Sequence, residues 1–392
     1  MPAGTSGGRF PSIRLLQLTA FVSTLDRFAM PPMLLAIAHD LGVPLSEIVQ
    51  AAGAYFLAYG LMQPVWGMIS DSLGLVRTMR LSLLLAAIST TAAAFAWTPL
   101  ALGLARGLAG GCFGAAYPAG LIYLGDTVPA QRRQREITRL LVGVAVGTAL
   151  ASLGAGLVAQ FIHWRAAFVM TGLASLALTF VLRHLVEPPR VRQHRTVLSP
   201  IVQVVRSRAA VFVLLLAFTE GAVLLGVLTL LPSAVEDTGT TAAIAGGVTG
   251  IYGLAVYASA HVVGRLSVRL HPSRLIALGA TAALAACVIL SFSRSPAVTV
   301  VVAVLLGLAW AAMHSSLQTW ATEVMPGARA TVVSLFAGAL FVGSAVAAIA
   351  VAGLAEAGRY GEIFVLAGAT TIPLGLLAAW GRARWRRPVS HP

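Results

Sequence analysis

Two acidic side chains lie inside long apolar runs of this sequence, where a charge is costly, and they are the first candidates for chemistry. Asp26 and Glu220 each fall near the middle of such a run. An ionisable group at bilayer depth usually faces water or a partner, so each carboxylate is a candidate functional group. Such a group can take up a proton and couple its movement to a conformational change. The alternative is that each acid pairs with an arginine of a neighbouring helix and only holds two helices together.

Two arginines and a histidine also lie at this depth. Arg27 follows Asp26 but points about 100° away around a helix, so the two side chains need not form a pair. Arg106 can hold an anionic substrate group, set the proton affinity of a carboxylate or form a structural ion pair. His314 can relay protons near neutral pH, or it can be an ordinary hydrogen-bonded side chain. The predicted proton-coupling residues are Asp26, Glu220, Arg106 and His314, with Asp26 as the proton carrier.

Polar and aromatic side chains recur at intervals of four residues in two of the apolar runs. One series starts at Tyr55 and the other at Trp310. Side chains at this spacing share one face of a helix and can line a cavity, although packing between helices is the alternative. The residues that we predict to line a substrate cavity are Arg27, Tyr55, Tyr59, Gln63, Tyr117, Trp310 and Gln318.

Several kinds of chemistry are excluded or unsupported by the sequence. A phosphate-binding P-loop needs a lysine; the chain has 27 arginines and no lysine, so an ATP-driven pump within this chain is excluded. No cluster of cysteines and histidines has the spacing of a metal site, and no nucleophile motif of a hydrolase is present. The sequence therefore predicts neither an enzyme nor a bound cofactor or metal.

The composition indicates which elements must position these residues. Of the 392 residues, 58% are hydrophobic and 10% are charged, whereas soluble chains carry about 25% charged residues. Apolar runs of about twenty residues, the length of one bilayer crossing, recur along the whole chain. We therefore predict an all-α membrane protein with twelve transmembrane helices, a disordered N-terminus at 1–12, a cytoplasmic linker at 187–209 and a basic cytoplasmic tail at 382–392. The predicted crossings are 13–38, 48–70, 79–98, 100–124, 138–160, 166–186, 210–233, 243–263, 275–292, 297–322, 330–355 and 363–381.

The arginines predict the orientation of this bundle, because arginine is enriched in cytoplasmic loops. An N-terminus on the inside places 22 arginines on the inner side and 3 in the outer loops. Both termini are thus predicted to be cytoplasmic, in the inner membrane of a bacterium. The formal net charge of +14 then reflects topology and not a nucleic-acid surface. We expect a monomer whose inner arginines contact anionic lipids.

An internal repeat divides the chain into two related halves. Residues 126–132 match residues 323–329 in their acidic, proline and arginine positions, at a displacement of 197 residues. Duplicated six-helix halves are typical of secondary transporters, whose substrate site lies between the halves near the membrane midplane. We therefore predict two pseudo-symmetric bundles, at 13–186 and 210–381.

Three stretches of the sequence, at 67–77, 106–116 and 164–168, carry recognisable signatures. They resemble signatures of the major facilitator superfamily, and the resemblance covers essentially the whole chain. The loop after the second crossing is similar to the family's cytoplasmic gate motif, although most of its usual basic residues are missing. The stretch that begins at Arg106 is similar to a second signature, whose arginine is tied to proton transfer. Residues 164–168 are similar to the usual connection between helices 5 and 6. The residues that the resemblance assigns to the gate are Gly67, Asp71, Gly74 and Arg77.

The resemblance gives two weaker indications of the direction of transport. Residues 25–32 resemble the acidic first-helix motif of drug and metabolite exporters, whereas the fifth crossing lacks the glycine–proline pair of proton-driven exporters. We predict a proton-coupled transporter of a small molecule that works by alternating access, with efflux by antiport as the first hypothesis. The alternative is a symporter or facilitator that takes up a small anionic metabolite, favoured if Arg27 and Arg106 both face the cavity. An alternative of another class is a transporter-like sensor or assembly partner.

Overall fold

The computed structural model describes residues 13–188 and 198–385, and these form twelve long helices and no strand. The helices are α1 (Ile13–Leu41), α2 (Leu45–Leu73), α3 (Leu75–Ala94), α4 (Pro99–Thr127), α5 (Ala130–Phe161), α6 (Trp164–His184), α7 (Arg208–Glu236), α8 (Ala242–Leu266), α9 (Pro272–Phe292), α10 (Pro296–Val324), α11 (Arg329–Glu356) and α12 (Tyr360–Arg384). All except α2 are long and apolar enough to cross a membrane, as judged by their length and composition. The 29-residue α2 packs against α4 of its own half and against α11 of the other half. The predicted twelve-helix membrane fold is confirmed.

The segment between the two halves is described at both of its ends. Glu187 accepts hydrogen bonds from two backbone N–H groups at the start of α3, each at 3.3 Å. A short helix, Leu198–Arg206, then leads into α7, where the sequence analysis predicts only a linker. The predicted N-terminal segment and parts of the predicted linker and tail lie outside the described residues, at 1–12, 189–197 and 386–392.

Four of the described helices are interrupted near the middle of the bundle. A 3-10 turn, Pro31–Met33, interrupts α1 after Met30, and α4 is broken after Phe113. Wider π-turns occur in α7 at Gly221–Leu225 and in α10 at Trp310–His314. Interrupted helices and π-turns are frequent at functional sites, because they redirect side chains and free backbone groups. They identify the level of the bundle where a site is expected.

One contact between the halves is made by α2 and α11. A Cβ atom on Gly60 would lie 2.6 Å from the carbonyl oxygen of Gly338, so the two backbones approach as closely as glycine allows. Gly53, seven residues nearer the outer end, packs against Ile349. Gly67, seven residues nearer the inner end, has no atom of a described residue within 4 Å of such a position. The two helices therefore diverge towards the inner side.

The second contact between the halves, made by α5 and α8, has the same form. Cβ atoms on Gly246 and Gly253 would lie 2.3 and 2.7 Å from backbone oxygens of α5, whereas such an atom on Gly264, further along the same face, would have no described residue within 4 Å. Both contacts are thus closed at one end and separated at the arginine-rich end. With the orientation that the arginines predict, the separated ends face the cytoplasm, as in an inward-facing transporter.

Candidate functional site

An ion pair between Asp26 and Arg106 lies in the interior of the N-terminal half. A carboxylate oxygen of Asp26 is 3.0 Å from Nη1 of Arg106, and neither side chain has any exposed surface. The hydroxyls of Thr90 and Thr171 donate to the same carboxylate at 3.2 Å. Nη2 of Arg106 donates to the backbone oxygen of Asp26 at 3.0 Å. Four helices, α1, α3, α4 and α6, thus meet at one neutralised carboxylate.

Close helix packing holds Arg106 in this position. A Cβ atom on Gly110 would lie 2.2 Å from the backbone oxygen of Tyr55, so only glycine lets α4 approach α2 this closely. The guanidinium of Arg106 then lies over the rings of Tyr55 and Phe168, with centroids at 4.4 and 4.7 Å. Aromatic faces stabilise a desolvated cation. Arg106 is therefore enclosed by its own half and does not line the space between the halves.

Arg27 occupies a different environment, although it is the next residue after Asp26. Its Nη2 donates to the hydroxyl of Tyr59 at 2.7 Å, and its guanidinium lies 4.5 Å from the Tyr59 ring and 5.3 Å from the ring of Phe341 on α11. Tyr117 is near enough to interact electrostatically. Arg27 is half-buried, and within the described ranges no carboxylate forms an ion pair with it. A cation without a counter-charge thus lies where the two halves meet.

The C-terminal half contains a second acid–base pair, formed by Glu220 and His314. Nδ1 of His314 is 3.1 Å from one carboxylate oxygen of the fully buried Glu220. The other oxygen, Oε1, has no hydrogen-bond partner among the described residues. Trp310 stacks on the imidazole, with ring centroids 4.0 Å apart. Both π-turns adjoin this pair, since Glu220 precedes the one in α7 and His314 ends the one in α10.

The remaining residues of the predicted cavity are in varied surroundings. Tyr55 and Gln63 are buried on α2, and the Tyr55 hydroxyl has no partner in the part of the chain that the structure describes. Trp310 is half-buried, whereas Gln318 is exposed. Phe341, Thr90 and Thr171 were not predicted. Threonines inside apolar helices were the available signal for the last two; nothing in the sequence distinguished Phe341 from other apolar residues.

The predicted gate motif connects α2 with α3. Gly74 has a φ of 102°, which favours glycine and allows the sharp turn between the helices. Asp71 is exposed on the inner side, and among the described residues it has no basic partner. Arg77 binds Glu187 through its backbone N–H alone, and its side chain is exposed. Within the described ranges, the gate motif therefore forms no ion pair.

The family model described as Major Facilitator Superfamily matches residues 16–348 and 227–392 of the sequence. The chain belongs to the Major Facilitator Superfamily. It is a transporter and not an enzyme, and its predicted fold and general function are confirmed. A solved structure of a D-xylose-proton symporter superposes with a TM-score of 0.76 at 15% identity, covering 95% of this chain and 96% of that one. At that identity the likeness is one of fold.

Two curated members of the superfamily match part of the chain. It is 27% identical over 190 residues to the hexuronate transporter of Escherichia coli K12, covering 48% of this chain and 44% of that protein. It is 30% identical over 172 residues to the galacturonate transporter of Dickeya chrysanthemi, covering 43% and 49%. The matched regions thus span about half the length of these relatives.

Proposed function

We propose that this protein takes up a small anionic metabolite, of the sugar-acid class, together with protons. The observation that carries the proposal is the environment of Arg27. Its positive charge lies at the junction of the halves, where transporters of this architecture bind their substrates. Arg27, unlike the enclosed Arg106, can therefore contact a substrate at this junction.

The charges near the midplane favour an anion. Arg106 neutralises Asp26 at 3.0 Å, and this pair is closed to solvent. Among the described residues, the Tyr59 hydroxyl is the one hydrogen-bond partner of the Arg27 side chain, and the buried Nε of Arg27 has no acceptor. A partly desolvated cation without a counter-ion is costly. A substrate carboxylate would supply both the missing charge and the missing acceptor, because a guanidinium binds a carboxylate through two parallel hydrogen bonds.

The matched relatives support the same class of substrate. Hexuronates and galacturonate are sugars that carry one carboxylate, and these are the compounds named for the two curated relatives. Aromatic rings beside Arg27 and at Trp310 offer faces for the apolar side of a sugar ring. Uptake is therefore favoured over the first hypothesis of efflux. Of the two arginines on which the uptake alternative depends, Arg27 alone lies at the junction of the halves.

The same contacts favour Glu220, and not Asp26, as the proton carrier. Asp26 accepts hydrogen bonds from an arginine and two threonines, so protonation would break several contacts. Among the described residues, Glu220 contacts one basic side chain, that of His314, and its Oε1 has no hydrogen-bond partner. Glu220 can therefore gain or lose a proton while fewer of its contacts are broken. The pair lies beside the π-turns that interrupt α7 and α10.

Binding measurements on the purified protein test the substrate class. Titration calorimetry with D-galacturonate and D-glucuronate, with neutral D-galactose for comparison, should show binding of a sugar acid only. Arg27→Gln should weaken that binding about 10- to 150-fold, as expected for losing a hydrogen bond to a charged group worth about 1.5–3 kcal/mol. Arg294→Gln, which changes an arginine in an outer loop, is the matched control. Equal binding of galactose, or unchanged affinity in Arg27→Gln, would refute the proposal.

A further inference from the structure

Two hydrogen bonds cross between the halves at the outer side, and both end at the start of a helix. Oε2 of Glu356, the last residue of α11, accepts from the backbone N–H of Ser46 in α2 at 2.9 Å. Oε1 of Gln160, near the end of α5, accepts from the backbone N–H of Ala243 in α8 at 3.1 Å. In each case a side chain of one half caps a helix of the other half.

The two bonds are related by the internal repeat. Ser46 and Ala243 are 197 residues apart, and Gln160 and Glu356 are 196 apart. Ser46 and Ala243 are both the second residue of their helix, one of the positions whose N–H lacks a partner within the helix. The pseudo-two-fold axis therefore places one cap at each of the two contacts between the halves.

We propose that Glu356 and Gln160 form a pair of latches that hold the outer gate closed. Each bond exists only while the outer ends of the two halves are in contact. Opening the outer side separates α2 from α11 and α5 from α8, so both bonds must break in every transport cycle. This inference rests on alternating access, but it depends neither on the substrate nor on proton coupling.

The latch made by Glu356 is the stronger of the two. The residue preceding α2 is Pro44, whose side chain forms no cap, so among the described residues Glu356 alone provides a side-chain cap for that helix start. At the start of α8, Thr241 already accepts from the N–H of Ile244. Glu356 is also anionic, and a negative charge at a helix N-terminus is favoured by the helix dipole. Removing Glu356 should therefore shift the gate further than removing Gln160.

Hydrogen–deuterium exchange of the full-length protein in lipid nanodiscs tests the latches. The segments to follow are 43–50 and 240–247 at the outer side and 257–266 at the inner side. Glu356→Ala should raise exchange in both outer segments and lower it in the inner one. The ratio of outward-facing to inward-facing molecules should rise about fivefold. This change corresponds to about 1 kcal/mol, the usual contribution of a helix cap. Gln160→Ala should give a smaller shift of the same sign, and the double variant should combine the two.

Two further variants separate a latch from a local effect. Glu356→Gln keeps an acceptor and should restore most of the wild-type exchange pattern. Glu362→Ala removes an outer carboxylate whose ion pair, with Arg359, lies within its own half, and should leave the pattern unchanged. The latch is wrong if Glu356→Ala raises exchange in 43–50 alone, or if Glu362→Ala produces the same shift. Loss of sugar-acid binding would change neither result.

Discussion

The carboxylate of Asp26 lies 3.0 Å from the guanidinium of Arg106, and the next residue, Arg27, points away from that pair towards Tyr59. Two consecutive residues thus lie in different environments, because adjacent side chains of a helix point in directions about 100° apart. The pair is enclosed by four helices of one half, whereas Arg27 lies at the junction of both. This division makes Asp26 a structural anchor and Arg27 the substrate contact in our proposal.

Asp26→Asn should destabilise the protein, because it leaves the Arg106 charge buried without its partner. Breaking a buried ion pair in this way costs about 3–5 kcal/mol, and the loss should appear in thermal unfolding of the purified protein. The double variant Asp26→Asn with Arg106→Gln should recover part of that stability. An Asp26→Asn protein with normal stability but no proton coupling would instead support the original prediction for Asp26.

Tyr59→Phe should weaken binding of a sugar acid about 2- to 10-fold. The substitution removes the hydroxyl that orients Arg27 at 2.7 Å, and one hydrogen bond contributes about 0.5–1.5 kcal/mol. Tyr55→Phe is the matched control, since the Tyr55 hydroxyl has no partner among the described residues. Calorimetric titration of both variants distinguishes loss of the hydroxyl that contacts Arg27 from loss of a tyrosine hydroxyl elsewhere on α2. A larger loss in Tyr55→Phe would contradict the assignment.

Glu220→Gln should separate substrate exchange from proton-driven accumulation. A glutamine cannot release a proton, so vesicles containing this variant should exchange labelled substrate across the membrane without concentrating it under a pH gradient. Glu362→Gln, at the outer end of α12, is the control carboxylate and should behave as wild type. Accumulation by Glu220→Gln at the wild-type level would exclude Glu220 as the proton carrier.

Gly246→Ala should favour the outward-facing state. The added methyl group would lie 2.3 Å from a backbone oxygen of Ser152, so the outer contact of α5 with α8 cannot close as it does here. Gly247→Ala places a methyl group 3.5 Å from the nearest side chain, an ordinary contact, and is the neighbouring control. Distances between spin labels on the outer ends of α5 and α8 should lengthen in Gly246→Ala alone.

The fold was predictable because the length of an apolar run identifies a membrane crossing, and because the 197-residue repeat relates the two halves. The predicted crossing 100–124, for example, corresponds to Pro99–Thr127 in the structure. The interruptions of the helices were less accessible. Consecutive prolines mark the break in α1, but no composition signal marks the π-turns at Gly221–Leu225 and Trp310–His314, which depend on packing between helices.

The sequence identified candidate residues one by one, but not the contacts that they make. Burial cost alone made Asp26 and Glu220 candidates, and the sequence left open whether Arg106 would bind a substrate or an acid. Which of the two Arg106 binds depends on how closely α4 approaches α2. Gly110 permits a close approach but does not determine it. The same limit applies to Phe341, because an apolar residue at the junction of the halves has the same sequence signature as one facing lipid.

Uptake of labelled galacturonate into proteoliposomes, with an acidic exterior and a neutral interior, tests the central proposal most directly. The wild-type protein should accumulate the compound, a protonophore should abolish the accumulation, and Arg27→Gln should abolish it while folding normally. The matched variant Arg294→Gln should accumulate as wild type. Transport that is independent of the gradient, net export against it, or full activity of Arg27→Gln would contradict proton-linked uptake through Arg27.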